Sequence, residues 1–207
     1  MDEARRVREF WFGKLPMSRE ALEERMRMWF AGEESRQERQ ERDDAMRAEF
    51  VSRVEAALAG ELASWADGPR RRLSLIILLD QFPRNIYRGS ARAFEGDEQA
   101  LGLALSGMQS GADAALDPVE RIFFYMPLQH SESIAVQDEA VAAFRRLLDE
   151  APQALHDCFA KNLRYAELHA SIIDRFGRFP HRNRLLGRAS TPEETVYLGG
   201  AGGFGQS

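Results

Sequence analysis

Arginine, histidine and asparagine side chains are concentrated in three short stretches of this chain, and together they have the chemistry to bind an anion. The stretches are QFPRN at residues 81–85, QHSE at residues 129–132 and RFGRFPHRN at residues 175–183. Arginine presents a planar fork of N–H donors that matches carboxylate and phosphate oxygens two at a time, and asparagine adds a donor and an acceptor. Arg84 with Asn85, and Arg182 with Asn183, repeat one pairing shortly after a Phe-Pro step. With the other polar residues of these stretches, the candidate ligand-binding set is Arg84, Asn85, His130, Glu132, Arg178, His181, Arg182 and Asn183. On this reading Arg182→Ala removes the response to ligand and changes stability little.

Charge is distributed in the same sense. The formal net charge is −5, yet residues 70–92 hold six arginines against Asp80, and residues 174–188 hold five against Asp174. Two basic islands on an acidic chain gather positive potential at one place if the fold brings them together. The alternative is that arginine is simply the habitual cation here, since Lys14 and Lys161 are the only lysines. The acidic total argues against nucleic-acid binding, which needs an extended basic face.

Two other readings compete. A metal-assisted hydrolase would draw on His130, Glu132, His169, Asp174 and His181, with a histidine as general base and a carboxylate to orient it. The spacing matches no known metal motif: there is no HExxH, and the His-x-Glu at His130 lacks the two-cysteine partner of a zinc deaminase. No metal ligand, cofactor or catalytic residue is assigned. His169 and Asn162 share a helical face with Cys158, Phe159, Ala166 and Ile173, where a polar group is ordinarily paired within the core. Asp174 lies about 140° around that helix from His169, so the two make no ready chelating pair. The plainest reading is structural, with the arginines capping carbonyls at two helix ends and Asp80 and Asp174 as ion-pair partners.

The elements that must position these residues are helices, because nearly every segment has helical periodicity. A short helix ends in FWFG at residues 10–13, and Ser18 is placed to cap a second through Met28, Trp29 and Phe30. Residues 33–42 are charged on every side and read as a loop or a solvated first turn. Asp43 is then the expected N-cap of a helix with the stripe Met46, Phe50, Val54, Leu58, Leu62 and Trp65. Asp67, Gly68 and Pro69 start a central helix through LSLIILL, and Pro83 is expected to force Phe82 extended so that QFPRN leaves it. Further helices are expected near residues 95–107, from Asp117 and Pro118 to about Pro127, from a cap at Ser131, and from Pro152 to about Phe176. Gly177 permits a left-handed stop, Pro180 keeps HRNR out of a helix, and Thr191 to Glu194 open a last short one.

FWFG, LLDQFPRNIYRG at residues 78–89, ERIFFYMPLQHSE at 120–132 and IIDRFGRFPHRNRLLGRAST at 172–191 together resemble an uncharacterised bacterial family. It is a domain-of-unknown-function family classed with tetratricopeptide-like helical folds. The resemblance covers nearly the whole chain and implies a fold, with no activity, substrate or cofactor; the glycine-rich end is less like the family.

The expected architecture is therefore all-α, a single-domain antiparallel helical array over residues 1–198, followed by a flexible glycine-rich tail at 199–207. Among 207 residues, 44% hydrophobic, the one cysteine, Cys158, excludes a disulfide framework and a cysteine-rich zinc site. No apolar run approaches the roughly 18 residues of a membrane span, and the N-terminus lacks the apolar core of a signal peptide, so a soluble cytoplasmic protein without a membrane partner is expected. The function read from the residues is a polar pocket for an anionic small molecule. A peptide- or protein-binding helical module and a metal-assisted hydrolase are the alternatives. Trp29 and Phe30 stand either in the core or in a homo-oligomer contact.

Overall fold

The computed structural model describes residues 2–30 and 35–200, and these form nine α-helices and no strand. In chain order they are α1 (Glu3–Phe12), α2 (Arg19–Phe30), α3 (Arg36–Leu58), α4 (Pro69–Ile86), α5 (Asp97–Gln109), α6 (Pro118–Gln129), α7 (Ile134–Asp149), α8 (His156–Phe176) and α9 (Pro192–Gly200). Helix α4 is the centre of the array, touching α1, α3, α5 and α6, while α7 lies between α6 and α8. Its run from Leu73 through Leu79 is buried on every side, as a helix apolar all round must be. No helix among the described residues is long and apolar enough to cross a membrane.

Several local signals act as the sequence implies. The Ser18 hydroxyl accepts from the Ala21 N–H, Asp117 and Glu120 form a reciprocal capping box on α6, and Gly177 ends α8 at a left-handed φ of 66°. Helix α3 starts earlier than expected. Ser35 caps it in a box with Glu38, and residues 36–42 are helical; residues 33 and 34 lie outside the described residues. The same helix stops at Leu58, because Gly60 turns at a φ of 77°, and Trp65 enters the core from a separate short turn. Helix α9 runs to Gly200, two residues into the expected tail, and residues 201–207 lie outside the described residues.

The largest departure is at QFPRN, which stays inside α4 with Pro83 in its last turn. Tertiary packing overrides the local preference. The Phe82 ring is fully buried among Phe10, Trp11 and Phe50, and the helical backbone holds it there. Pro83 has no N–H to give the Leu79 carbonyl. Gly96 closes against that carbonyl so tightly that a Cβ on it would stand 2.3 Å from the oxygen. Gly96→Ala is therefore expected to destabilise the fold by about 3 kcal/mol, the upper end for overpacking, since backbone cannot swing aside as a side chain can. Urea unfolding checks this. Pro127 is likewise inside its helix, which continues to Gln129.

Candidate functional site

A cavity of about 450 Å³ opens where the C-terminal ends of α4 and α6 meet α2, α3, α8 and the turn after α8. Arg39, Arg42, Arg84, Arg88 and Arg182 line it together with His130, His169 and His181. Gln81, Asn85, Gln129 and Asn162 add amides, and Trp29, Phe30, Phe94 and Tyr165 add aromatic wall. No aspartate or glutamate stands among these described lining residues. The carboxylates sit behind the wall and hold the arginines in place. Asp97 takes Arg84 at 2.8 and 3.0 Å and Arg182 at 3.1 Å, and Asp43 takes Arg88 at 2.8 Å and Arg42 at 3.3 Å.

Of the eight residues singled out in the sequence, the structure brings Arg84, Asn85, His130, His181 and Arg182 to this cavity. QFPRN also does the structural work foreseen for it. Arg84 donates to the Asp80 carbonyl at 2.6 Å, and Asn85 to the Gln81 carbonyl at 2.8 Å. Arg182 is buried and stacked between the rings of Phe94 and Phe179, with centroids 4.7 and 4.6 Å from its guanidinium carbon. Burial, only partly offset by Asp97, lowers its pKa to about 10, so it stays protonated at neutral pH. With so much packing, Arg182→Ala costs stability as well as charge, contrary to the expectation of little change.

Fully buried Asp80 contacts three side chains of the site. Its Oδ1 lies 2.6 Å from His130 Nδ1 and 3.2 Å from an Arg84 nitrogen, and its Oδ2 accepts from Gln81. Burial alone would raise the carboxyl pKa, but Arg84 and then His130 outweigh it, and the group is held well below the ordinary carboxylate range. All three histidines are pushed toward the neutral form. Burial and then Arg84 lower His130; burial lowers His169 to about 4 and, followed by Arg182, His181 to about 3. Near neutral pH the cavity's positive charge therefore belongs to the arginines. Among the described residues no group of three or more histidine, cysteine, aspartate or glutamate side chains is placed to hold a metal ion.

Glu132, Arg178 and Asn183 belong to a second cluster beside the cavity that fastens α9 and the turn before it. Glu132 pairs with Arg188 at 2.7 and 2.9 Å and accepts from the Phe179 N–H at 2.8 Å. Arg178 forks onto Glu194 at 2.6 and 2.8 Å, and Asn183 donates to the same carboxylate at 3.2 Å. Glu194 and Thr191 also form the reciprocal cap of α9. The Arg178 contact is the main cause that draws the Glu194 pKa from 4.5 down to about 2. A depressed folded-state pKa means that the contribution is fully present above pH 4.5 and lost as pH falls toward about 2. Protection of residues 192–200 against hydrogen exchange, taken relative to the free-chain rate at each pH, is expected to fall across that acid window ahead of the core, and Glu194→Gln to remove the transition.

The sequence reading missed Arg39, Arg42 and Arg88 as lining residues, and Asp97 and Asp43 as their supports. Arg39 and Arg42 sit in the charged run before Asp43, whose helical spacing of three residues was the available signal. Asp97 is remote in sequence and carried none. Asp174 is exposed, away from the site.

Fold and site together define an all-α protein whose helices converge on an arginine- and histidine-lined cavity. The chain belongs to a family described as bacterial protein of unknown function (DUF924), whose model matches residues 7–202. It is similar to a solved structure titled a protein of unknown function, ATU0120, from Agrobacterium tumefaciens. The two are 34% identical with a TM-score of 0.77, over 95% of this chain and 96% of that one. Among curated proteins nothing matches the chain.

Proposed function

We propose that the protein binds a small anionic molecule, bearing a phosphate or carboxylate and an apolar or aromatic portion, in the cavity between α4, α6 and α8. The observation that carries this reading is the lining itself: five arginines and three neutral histidines converge, and no carboxylate stands among the described lining residues. A volume of about 450 Å³ suits a metabolite-sized ligand. The aromatic wall matches an apolar portion, while histidine and amide groups supply hydrogen bonds that fix orientation. One cysteine and an acidic total charge suit a cytoplasmic setting.

Thermal unfolding with inorganic phosphate, nucleotides and di- and tricarboxylates tests the proposal. A ligand at about a hundred times its Kd adds roughly 2.7 kcal/mol, or about 5–10 °C in midpoint at this size. Arg88→Ala is the informative variant, since Arg88 is half-buried at the cavity and less enclosed than Arg182. It is expected to weaken binding about 10-fold or more, the effect of one charged hydrogen bond. Absence of a shift with every anion, or an Arg88→Ala protein that binds like the parent, removes the reading.

A further inference from the structure

We propose that Asp80 and His130 are an acid–base dyad and that the cavity hydrolyses a carboxylic ester of an anionic molecule, with water as nucleophile. This rests on the anion-binding reading and adds a reaction to it. An ionised aspartate only accepts hydrogen bonds, so the 2.6 Å contact to Asp80 requires His130 Nδ1 to carry the proton and leaves the lone pair on Nε2. His130 lines the cavity, and its Nε2 has no hydrogen-bond partner among the described residues. Asp80 is itself held from both sides, by Arg84 at 3.2 Å and by Gln81, so the imidazole has one orientation.

A buried carboxylate behind a histidine does two things for catalysis. It selects the tautomer that can accept a proton, and it stabilises the imidazolium that forms when it does. Burial and Arg84 keep His130 neutral near pH 7, ready to act as a base. No serine, threonine or cysteine is among the described lining residues. Cys158 faces a different groove, and burial raises its thiol pKa to about 11. Water is then the nucleophile the site can activate.

In the first step His130 Nε2 takes a proton from water as the water oxygen bonds to the ester carbonyl carbon. The carbonyl oxygen gains the electron pair of its π bond, and an arginine of the cavity, with Arg84 and Arg182 the fixed ones, donates to the developing oxyanion. In the second step the carbonyl re-forms, the bond to the alkoxy oxygen breaks, and that oxygen takes the proton from His130 Nε2. Ester and water give acid and alcohol, with no oxidant, reductant or further co-reactant. The remaining arginines hold the substrate's separate anionic group.

The test uses p-nitrophenyl hemisuccinate as the anionic ester, with neutral p-nitrophenyl acetate and p-nitrophenyl phosphate in parallel, and succinate and phosphate as binding probes by thermal unfolding. The hemisuccinate is expected to be cleaved in preference to the acetate, with kcat rising as pH passes through the titration of His130. That group is faced by Asp80 and Arg84 from α4, Asp97 from α5, His169 from α8 and His181 from the following turn. His130→Gln is expected to lower kcat by about 10²–10⁴ and to abolish the pH dependence while circular dichroism shows a folded protein. Asp80→Asn, where it folds, should lower kcat with little change in KM. An unchanged rate in His130→Gln overturns the dyad. Succinate or phosphate binding without hydrolysis of any ester overturns it and leaves the anion-binding reading standing, and the absence of both removes the two together. Cleavage of the phosphate ester alone, or of the acetate as fast as the hemisuccinate, overturns the proposed substrate class.

Discussion

Replacing Asp80 with alanine is expected to destabilise the protein by about 3–5 kcal/mol, the cost of leaving a buried charge without its partner. The side chain is inaccessible to solvent, and its removal strips one of two carboxylates from Arg84, whose side chain is itself only 12% exposed. Asp97 still holds Arg84, which keeps the effect from being larger. The same pair predicts a pH dependence with a definite sign. The Asp80 pKa lies below its ordinary value of 3.8 in the fold, so the ionised carboxylate contributes stability above that value, and the contribution is lost as pH falls below it. Urea unfolding of parent and Asp80→Ala at neutral pH and in acid checks both statements: the gap between the two proteins should narrow as the parent loses its charge. A cost below 1 kcal/mol would show that the buried ion network is nearly neutral overall.

Phe82→Ala should cost a similar 3–5 kcal/mol for a different reason, the cavity left when a fully buried ring is removed. Phe82 has aromatic neighbours from α1 and α3, at centroid separations of 4.9 Å to Phe50, 5.6 Å to Trp11 and 6.0 Å to Phe10. Loss of that ring loosens the junction of three helices. Phe179, the other Phe of a Phe-Pro step, is equally buried but sits in a small separate cluster with Ile172 and Ile173, backed by Phe176 and Tyr197. Phe179→Ala is therefore expected to expose the turn after α8 and α9 to hydrogen exchange while the α3–α4–α6 core stays protected. Global unfolding from Phe82→Ala and local opening from Phe179→Ala are separable in one exchange experiment. If both variants open the same amides, the two Phe-Pro steps serve one cooperative unit.

The two Phe-Pro steps, alike as strings, have different structures, and that difference marks what local sequence encodes. At residues 177–183 the local rules mark the stop, since glycine reaches a left-handed φ without a Cβ penalty, but Pro180, expected to keep HRNR out of a helix, instead opens a 3₁₀ turn over Pro180–Arg182. At residues 81–85 the same rules point to a helix exit, and the aromatic cluster around Phe82 reverses them. Capping was legible at α6, where Asp117 and Glu120 stand three residues apart. It was misplaced at α3, where an aspartate inside the helix imitates a cap and Ser35 supplies the real one.

For the candidate site, residue types were readable and assignments were not. Basic islands at residues 70–92 and 174–188 drew attention to Arg84, Asn85, His181 and Arg182, and the QHSE stretch to His130, and these five do meet at the cavity. Glu132, Arg178 and Asn183 carry the same chemistry in the same motifs, yet they turn to Arg188 and Glu194. By itself the sequence determined the all-α class, the starts of α2, α4 and α6, the stop of α8 and the family to which the chain belongs, because these depend on periodicity, caps and motifs within a few turns of chain. Only the tertiary structure decided that Asp80 stands behind His130 across 50 positions and that Asp97 joins Arg84 to Arg182. Those pairings arise from how helices pack on one another, and side chains distant in sequence leave no local pattern from which their meeting can be read.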